Sequence, residues 1–397
     1  MEKNNDKTIT LIKLLDIRFG DPISALYLQD TNVIFGTMMG KITLYSITKN
    51  KVYILSELSS ENIVDISYSP KEKIINVAIG DEEIIKYDID FSQGNIPIYS
   101  KIKNYASENE HIKYCENAFV MLSYNIFFRV QLSQPEEGNI NINNINSDFE
   151  IRNLSSNEIL TGTLPMTNYS IPLDFHQEKF AWVEFLSDKE RNLCIANFKD
   201  KIENPYKFLI HKHFGHISHF KFLPGNKFIL VRNLNICEIR NIDEKFSLIQ
   251  SFKHLGDNVY AIDVFVLDKK RNINDKNLSY NSNKINKDDI LLNLNKNESF
   301  NSNEHNKSEN IKNKIDCNDN NDNNKDFIIV FLDIDGGVNI YQNGEISSFF
   351  NLNDLKGIKK EEKNKTFFSM GYSYYIKYNL KYCIISSDHG CYVLEVN

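Results

Sequence analysis

Three stretches of this 397-residue chain carry side chains whose types and spacing could do chemistry. In Phe327-Ile328-Ile329-Val330-Phe331-Leu332-Asp333-Ile334-Asp335-Gly336 an apolar run ends in Asp-x-Asp-Gly. That spacing suits phosphoryl transfer, in which the first carboxylate attacks phosphorus, the second handles the proton and Mg²⁺ screens both charges. His211, His213, His216 and His219 put four imidazoles within nine residues, enough donors for a zinc ion. Cys383 and Cys391 flank a short turn and could face one another as a redox or metal pair.

The elements needed to position these groups argue otherwise. The Asp333–Asp335 pair resembles the nucleophile motif of haloacid-dehalogenase-like phosphatases, but that motif opens a parallel α/β domain with helices. Here only about sixty residues follow, and they read as strands. A strand, a tight turn and a second strand is the simpler reading. A calcium loop also fails, because Val338 stands where glycine is needed and Gly344 at the twelfth position. Alternate strand residues face opposite sides, which splits the histidines. The two cysteines read as small buried hydrophobes. Glu82-Glu83 and Glu361-Glu362 lie in turn or linker contexts and read as solvated charge. G-x-S-x-G, P-loop, dinucleotide-binding and H-E-x-x-H patterns are all missing. The expectation is a non-enzyme with no cofactor and no metal.

Composition supports a large core: 41% hydrophobic residues, with 26 Phe and 20 Tyr against a single Trp. The longest clear apolar run, Phe327 to Leu332, falls far short of the roughly 20 residues that span a bilayer. A net charge of -7 disfavours nucleic acid and anionic membrane surfaces. Six dispersed cysteines form no disulfide framework, and Met1 to Thr10 lacks a secretory apolar segment. The cytoplasm is therefore expected, with the nucleus left open.

Two asparagine-rich tracts interrupt the chain. Between Arg271 and Lys325, 19 of 55 residues are Asn, and nine basic residues balance nine acidic ones. So few apolar groups cannot offset the entropy of ordering, so 271–325 is expected to be a disordered insertion. A shorter Asn-rich loop spans 133–148. This usage, with abundant Ile, Lys and Tyr, is that of an AT-rich genome such as a malaria parasite's.

Elsewhere short Ile-, Val-, Phe- and Tyr-rich runs alternate with Gly, Asn, Asp and Ser, the pattern of strands and turns. The runs recur. Ile23 to Leu28, Val33 to Thr37, a turn at Met38-Met39-Gly40 and Lys41 to Ile47 make one unit. About 40 residues on, Ile63-Val64-Asp65-Ile66-Ser67-Tyr68-Ser69-Pro70, Ile75 to Gly80, a turn at Asp81-Glu82-Glu83 and Ile84 to Ile89 repeat it. A third clear unit runs from Gly215 through Val231 to Arg240. Weaker ones start near His111, Ile171 and Val259, the last resuming at Phe327 beyond the long Asn tract. A period of about 40 to 45 residues with four strands marks a propeller blade.

Gly215-His216 followed by Phe220-x-Phe222-x-Pro224, Tyr87-Asp88 closing a third strand, and the turns Asp335-Gly336 and Asp388-His389-Gly390 resemble the repeats of the WD-repeat (WD40-like) family. The form is degenerate: Trp182 precedes Val183, and no Trp-Asp pair exists. The resemblance implies an all-β, seven-bladed β-propeller of four-stranded antiparallel blades. The final unit, Ser369 to Val396, holds three strands, and Ile9 to Ile17 can supply the fourth. Removing the long tract leaves 397 − 55 = 342 residues, about 49 per blade, so 1–397 reads as one domain.

The resemblance further implies a shared top face built from the loops before each first strand and between strands two and three. It gathers Met38, Met39, Glu82, Glu83, Arg232, Asn235, Asp388 and His389 as a candidate protein-binding rim. The expected function is a non-catalytic scaffold or adaptor subunit of a multiprotein complex, with protein partners and an open oligomeric state. The alternative is a propeller enzyme, or a small-ligand or lipid binder, using the top rim or the central channel. The tandem-arginine lipid motif and the Trp-Asp-x-Arg ligase-receptor signature of related propellers are absent.

Overall fold

The structure, a computed structural model, describes residues 9–15, 22–57, 62–69, 72–80, 83–88, 101–104, 118–132, 146–166, 170–176, 178–186, 190–198, 201–211, 214–243, 245–256, 258–267, 326–355, 374–387 and 390–397. A lone strand, β1 (Ile9–Leu15), precedes the blades. Blade one is β2 to β5 (Ile23–Gln29, Asn32–Thr37, Lys41–Ser46, Lys51–Glu57), and blade two is β6 to β9 (Ile63–Ser69, Ile74–Ile79, Glu83–Asp88, Lys101–Asn104). Blade three is β10 to β13 (Ala118–Ser123, Ile126–Gln131, Ser147–Asn153, Ile159–Leu164), and blade four is β14 to β17 (Ile171–His176, Lys179–Phe185, Glu190–Asn197, Lys201–His211). Blade five is β18 to β21 (Ile217–Leu223, Lys227–Arg232, Ile236–Asn241, Leu248–Lys253). Blade six is β22 to β25 (Val259–Leu267, Asp326–Asp333, Gly337–Gln342, Glu345–Asn351), and blade seven holds β26 to β28 (Ile376–Tyr378, Tyr382–Ser387, Gly390–Val396).

Each blade is a four-stranded antiparallel meander, and the seventh sheet has the order β1-β28-β27-β26. The N-terminal strand thus completes the C-terminal blade, pairing from Ile9↔Val396 to Leu15↔Cys391. Closure of this kind removes the open edge that a three-stranded blade would present. Helix is almost lacking among the described residues, where Leu352–Asp354 forms one 3-10 turn.

The core explains why strand runs are apolar on consecutive residues rather than alternating. Blades stack face to face, so both faces of each sheet are buried. In β19, Phe228 and Leu230 pack toward blade four while Ile229 and Val231 pack toward blade six. Seven apolar clusters result, one at each junction between neighbouring blades, including blade seven against blade one. The three-four junction is rich in phenylalanine: Phe128 lies 4.8 Å from Phe175 and 4.5 Å from Phe180, which stacks on Trp182.

A repeated backbone bond confirms the blade period. The residue after the second strand donates to the carbonyl just before the first: Met38 to Pro22, Gly80 to Asn62, Asn233 to His216, Ile334 to Asn258. Two sequence boundaries shift. Strand β8 begins at Glu83, paired with Ile79, so Glu83 opens the strand rather than sitting in the turn. Strand β12 begins at Ser147, inside the stretch read as a loop, because Ser147 and Asp148 pair with Leu164 and Thr163. Residues 133–145 and the insertion 271–325 lie outside the described residues, and the insertion falls between β22 and β23.

Candidate docking face and central channel

On the face formed by the turns between second and third strands, blade one projects its two methionines. Thr37 builds the turn: its carbonyl accepts from Gly40 N–H (3.1 Å) and its hydroxyl from Lys41 N–H (3.1 Å), with Gly40 at φ 81°. Met38 and Met39 stand at the tip, 47% and 58% exposed. Blade six builds the same turn with an aspartate. Asp333 accepts from Gly337 N–H (2.6 Å) and Asp335 N–H (3.1 Å), and Gly336 takes φ 78°. The Asp-x-Asp-Gly sequence is therefore a hairpin, and its first carboxylate is a turn cap.

The other rim residues fare differently. Arg232 is not free to meet a partner: its Nε donates to Glu238 (2.7 Å), Nη1 donates to the Phe214 carbonyl (3.1 Å), and the guanidinium covers the Phe214 ring at 4.8 Å. Glu238 takes Arg240 on its other oxygen (2.8 Å), so two arginines share one buried carboxylate. Asn235 is half-buried in the adjoining turn, donating through its N–H to Arg232 O (3.3 Å) and accepting from His254 N–H (2.8 Å). Glu82, Asp388 and His389 lie outside the described residues, as does the side chain of Glu83.

A second constellation, unread in the sequence, lines the axis. The innermost strands of the seven blades leave one edge without a strand partner, and such an edge presents unpaired N–H and C=O groups. Blades two, four and six each send an aspartate across to the next innermost strand. Asp65 accepts from Leu122 N–H (2.7 Å), Asp174 from Phe222 N–H (3.0 Å) and Asp263 from Tyr378 N–H (3.0 Å). Two of these clamps carry a lysine as well: Lys221 reaches Asp174 at 2.7 Å and Lys377 reaches Asp263 at 3.0 Å. At the matching place before Leu122 stands Met121, so Asp65 has no lysine of its own. Burial pushes the Asp65 carboxyl above the ordinary value, against the pull of its backbone donors and of Lys221 and Lys377. Burial lowers Lys221, but Asp174, with Asp263 and Asp65, more than compensates and holds its ammonium above the ordinary value.

Uncharged groups span the other junctions. Ser24 donates to Ile63 O (2.5 Å), His219 Nε2 meets Tyr260 O (3.0 Å), and Tyr375 donates to Ser24 O (2.5 Å). Burial lowers the His219 pKa, keeping a neutral ring that suits a single-donor bond to a carbonyl. The signal for the clamps was present as apolar-Asp-apolar at Val64-Asp65-Ile66, Leu173-Asp174-Phe175 and Ile262-Asp263-Val264. A charge inside an otherwise apolar run needs a partner.

The remaining chemical candidates dissolve. Among the described residues no three His, Cys, Asp or Glu side chains come together to hold a metal ion. Exposed His216 and channel-facing His219 part company, while His213 and the His211 side chain lie outside the described residues. Cys383 and Cys391 do not face each other: Cys383 packs into the six-seven junction and Cys391 into the seven-one junction. Burial raises both thiols, that of Cys391 to about 12.

No family model matches the chain, and no curated protein matches it. Solved structures do. A chain of the mitotic checkpoint complex aligns over 100% of this chain and 94% of its own, with 10% identity and a TM-score of 0.55. The WD40 β-propeller domain of Doa1 aligns over 98% and 97%, with 10% identity and a TM-score of 0.49. The computationally designed Ika8 protein aligns over 96% and 99%, with 9% identity and a TM-score of 0.47. At such identities the likeness concerns fold alone, and it agrees with the seven-bladed closure.

Proposed function

We propose that the protein is a non-catalytic docking platform of WD-repeat type, binding other proteins through the face that carries Met38 and Met39. The observation that carries this reading is the methionine turn: two flexible, polarizable apolar side chains held in solvent by a well-bonded turn on a closed ring. Exposed apolar groups on a rigid scaffold are the usual material of protein interfaces. A similar chain works inside an assembly, the mitotic checkpoint complex, which accords with protein partners. A cytoplasmic setting would keep the buried thiols reduced.

The channel charges are what a ligand-binding or catalytic reading would draw on. Asp174, Asp263, Lys221 and Lys377 already satisfy one another and the strand edges, which leaves little for a substrate. The test is affinity purification of tagged full-length protein from its native cells, with a Met38→Asp/Met39→Asp variant in parallel. The reading predicts a stoichiometric partner that the variant loses. An unchanged partner set, or wild-type protein that purifies alone, overturns it.

A further inference from the structure

On the same face, at the junction of blades four and five, lies a dimple of about 280 Å³ open to solvent. Its floor is Val183, Ile210 and Ile217, all buried, and Ile171 stands at its lip, 40% exposed. Sites for whole small molecules occupy roughly 300–1,000 Å³. This one has room for a single bulky side chain. One wall is backbone at Gly215, where φ is +93° and a Cβ would sit 2.1 Å from the Asn233 side-chain oxygen. That glycine cannot be exchanged without closing or distorting the wall.

Arg191 and His216 complete the lining. Arg191 shares a rung with Phe185 on one neighbouring strand and Ile210 on the other, so the three side chains share a face. Its guanidinium carbon lies 4.5 Å above the Phe185 ring, which fixes the group without neutralising it. Among the described residues, Arg152, Arg232 and Arg240 each hold a carboxylate, whereas Arg191 holds none. Glu190, its neighbour in sequence, points to the other face of the strand by alternation. In a chain of net charge -7, an aromatic-backed, unpaired arginine beside an apolar dimple is a local positive site.

We propose that this dimple docks an acidic peptide segment of a partner protein: one apolar side chain fills it, and a flanking carboxylate pairs with Arg191. Charge complementarity selects the occupant, since a fork of unengaged donors matches a carboxylate in bidentate fashion. The proposal rests on the docking-platform reading and names the partner chemistry at a second point of that face.

The probe is a fluorescein-labelled peptide with one leucine flanked by aspartates, titrated by anisotropy into the full-length protein. Control peptides carry alanine for the leucine or asparagine for the aspartates. Saturable binding is expected, weakened about tenfold or more by either control and by Arg191→Gln or Ile171→Asp. Arg191→Lys, which keeps charge but not the fork, should fall between. Folding of each variant is checked by its thermal midpoint, and Ile171→Asp, at an exposed position, covers the case of Arg191→Gln misfolding. No saturable binding, binding indifferent to leucine, or binding unchanged in Arg191→Gln overturns the proposal. So does self-association of the wild type that Arg191→Gln abolishes, which would make the dimple a contact between copies. Native partners kept by Arg191→Gln but lost by Met38→Asp/Met39→Asp would sink the dimple and leave the platform standing.

Discussion

Met121→Lys should create the third lysine clamp of the channel. In blades five and seven the residue before the bonded amide is Lys221 or Lys377, each within 3.0 Å of its aspartate. In blade three that residue is Met121, and Asp65 relies on Leu122 N–H and Ile66 N–H alone. A hydrogen bond to a charged group contributes about 1.5–3 kcal/mol. The existing lysines are 39% and 29% exposed, so solvent screening reduces that to about 1 kcal/mol. Loss of Met121 packing against the three-four core offsets part of the gain. The assay is therefore a double-mutant cycle with Asp65→Asn, read by urea denaturation at pH 7. The account predicts a favourable coupling of about 1 kcal/mol, seen as a shift of roughly 1–2 °C in a parallel melt. The pH dependence has a definite sign. Because its folded pKa is raised, Asp65 contributes stability that is present below its unfolded value and lost as pH rises through the folded value. The new lysine should lower that folded pKa and shrink the loss. Zero coupling, or a folded pKa unmoved in an NMR titration, would refute the clamp reasoning.

Three further outcomes follow from the packing. Gly36→Ala would place a Cβ 2.3 Å from Ile63 Cγ2 at the one-two junction, so it should cost about 1–3 kcal/mol; an unchanged urea midpoint would show the blades are less tightly apposed. Cys194, Cys237, Cys383 and Cys391 are buried free thiols, and burial raises Cys237 to about 12, so native protein at pH 8 should give Ellman's reagent at most 6 − 4 = 2 fast equivalents, with all six appearing in urea. Three or more fast equivalents would contradict the buried placement. Deleting residues 1–15 removes β1, with Leu15 buried and Ile9, Leu11 and Ile12 partly so, for a loss of roughly 5 kcal/mol and a tendency to aggregate through the bared edge of β28. Full stability of the truncated chain would disprove the closure.

The blade order and the closure were legible because stacking buries both sheet faces, which writes an apolar run for every strand and a polar turn between. Even the completion of blade seven by Ile9–Leu15 could be read, since three strands stood at one end and one at the other. What sequence could not show was who meets whom across blades. Arg232 looked like a rim cation because Glu238 is on the next strand and Phe214 lies in the connection before β18, a fold-made neighbourhood. The Asp65, Asp174 and Asp263 clamps were overlooked for the same reason, since their partners are 57, 48 and 115 residues away. Glu83 shifted from turn to strand because pairing with Ile79, not residue type, sets where a hairpin closes.

The account's central claim, that partners bind the face carrying Met38 and Met39, is tested most directly by hydrogen exchange of the protein alone and within its purified native assembly. Slowed exchange is predicted in the blade-one turn from Thr37 to Lys41 and around Leu186, Arg191 and Phe214 to Ile217, with the outermost strands unchanged. Protection confined to the outermost strands or the opposite face, with the Met38–Met39 turn exchanging as freely as before, would contradict it.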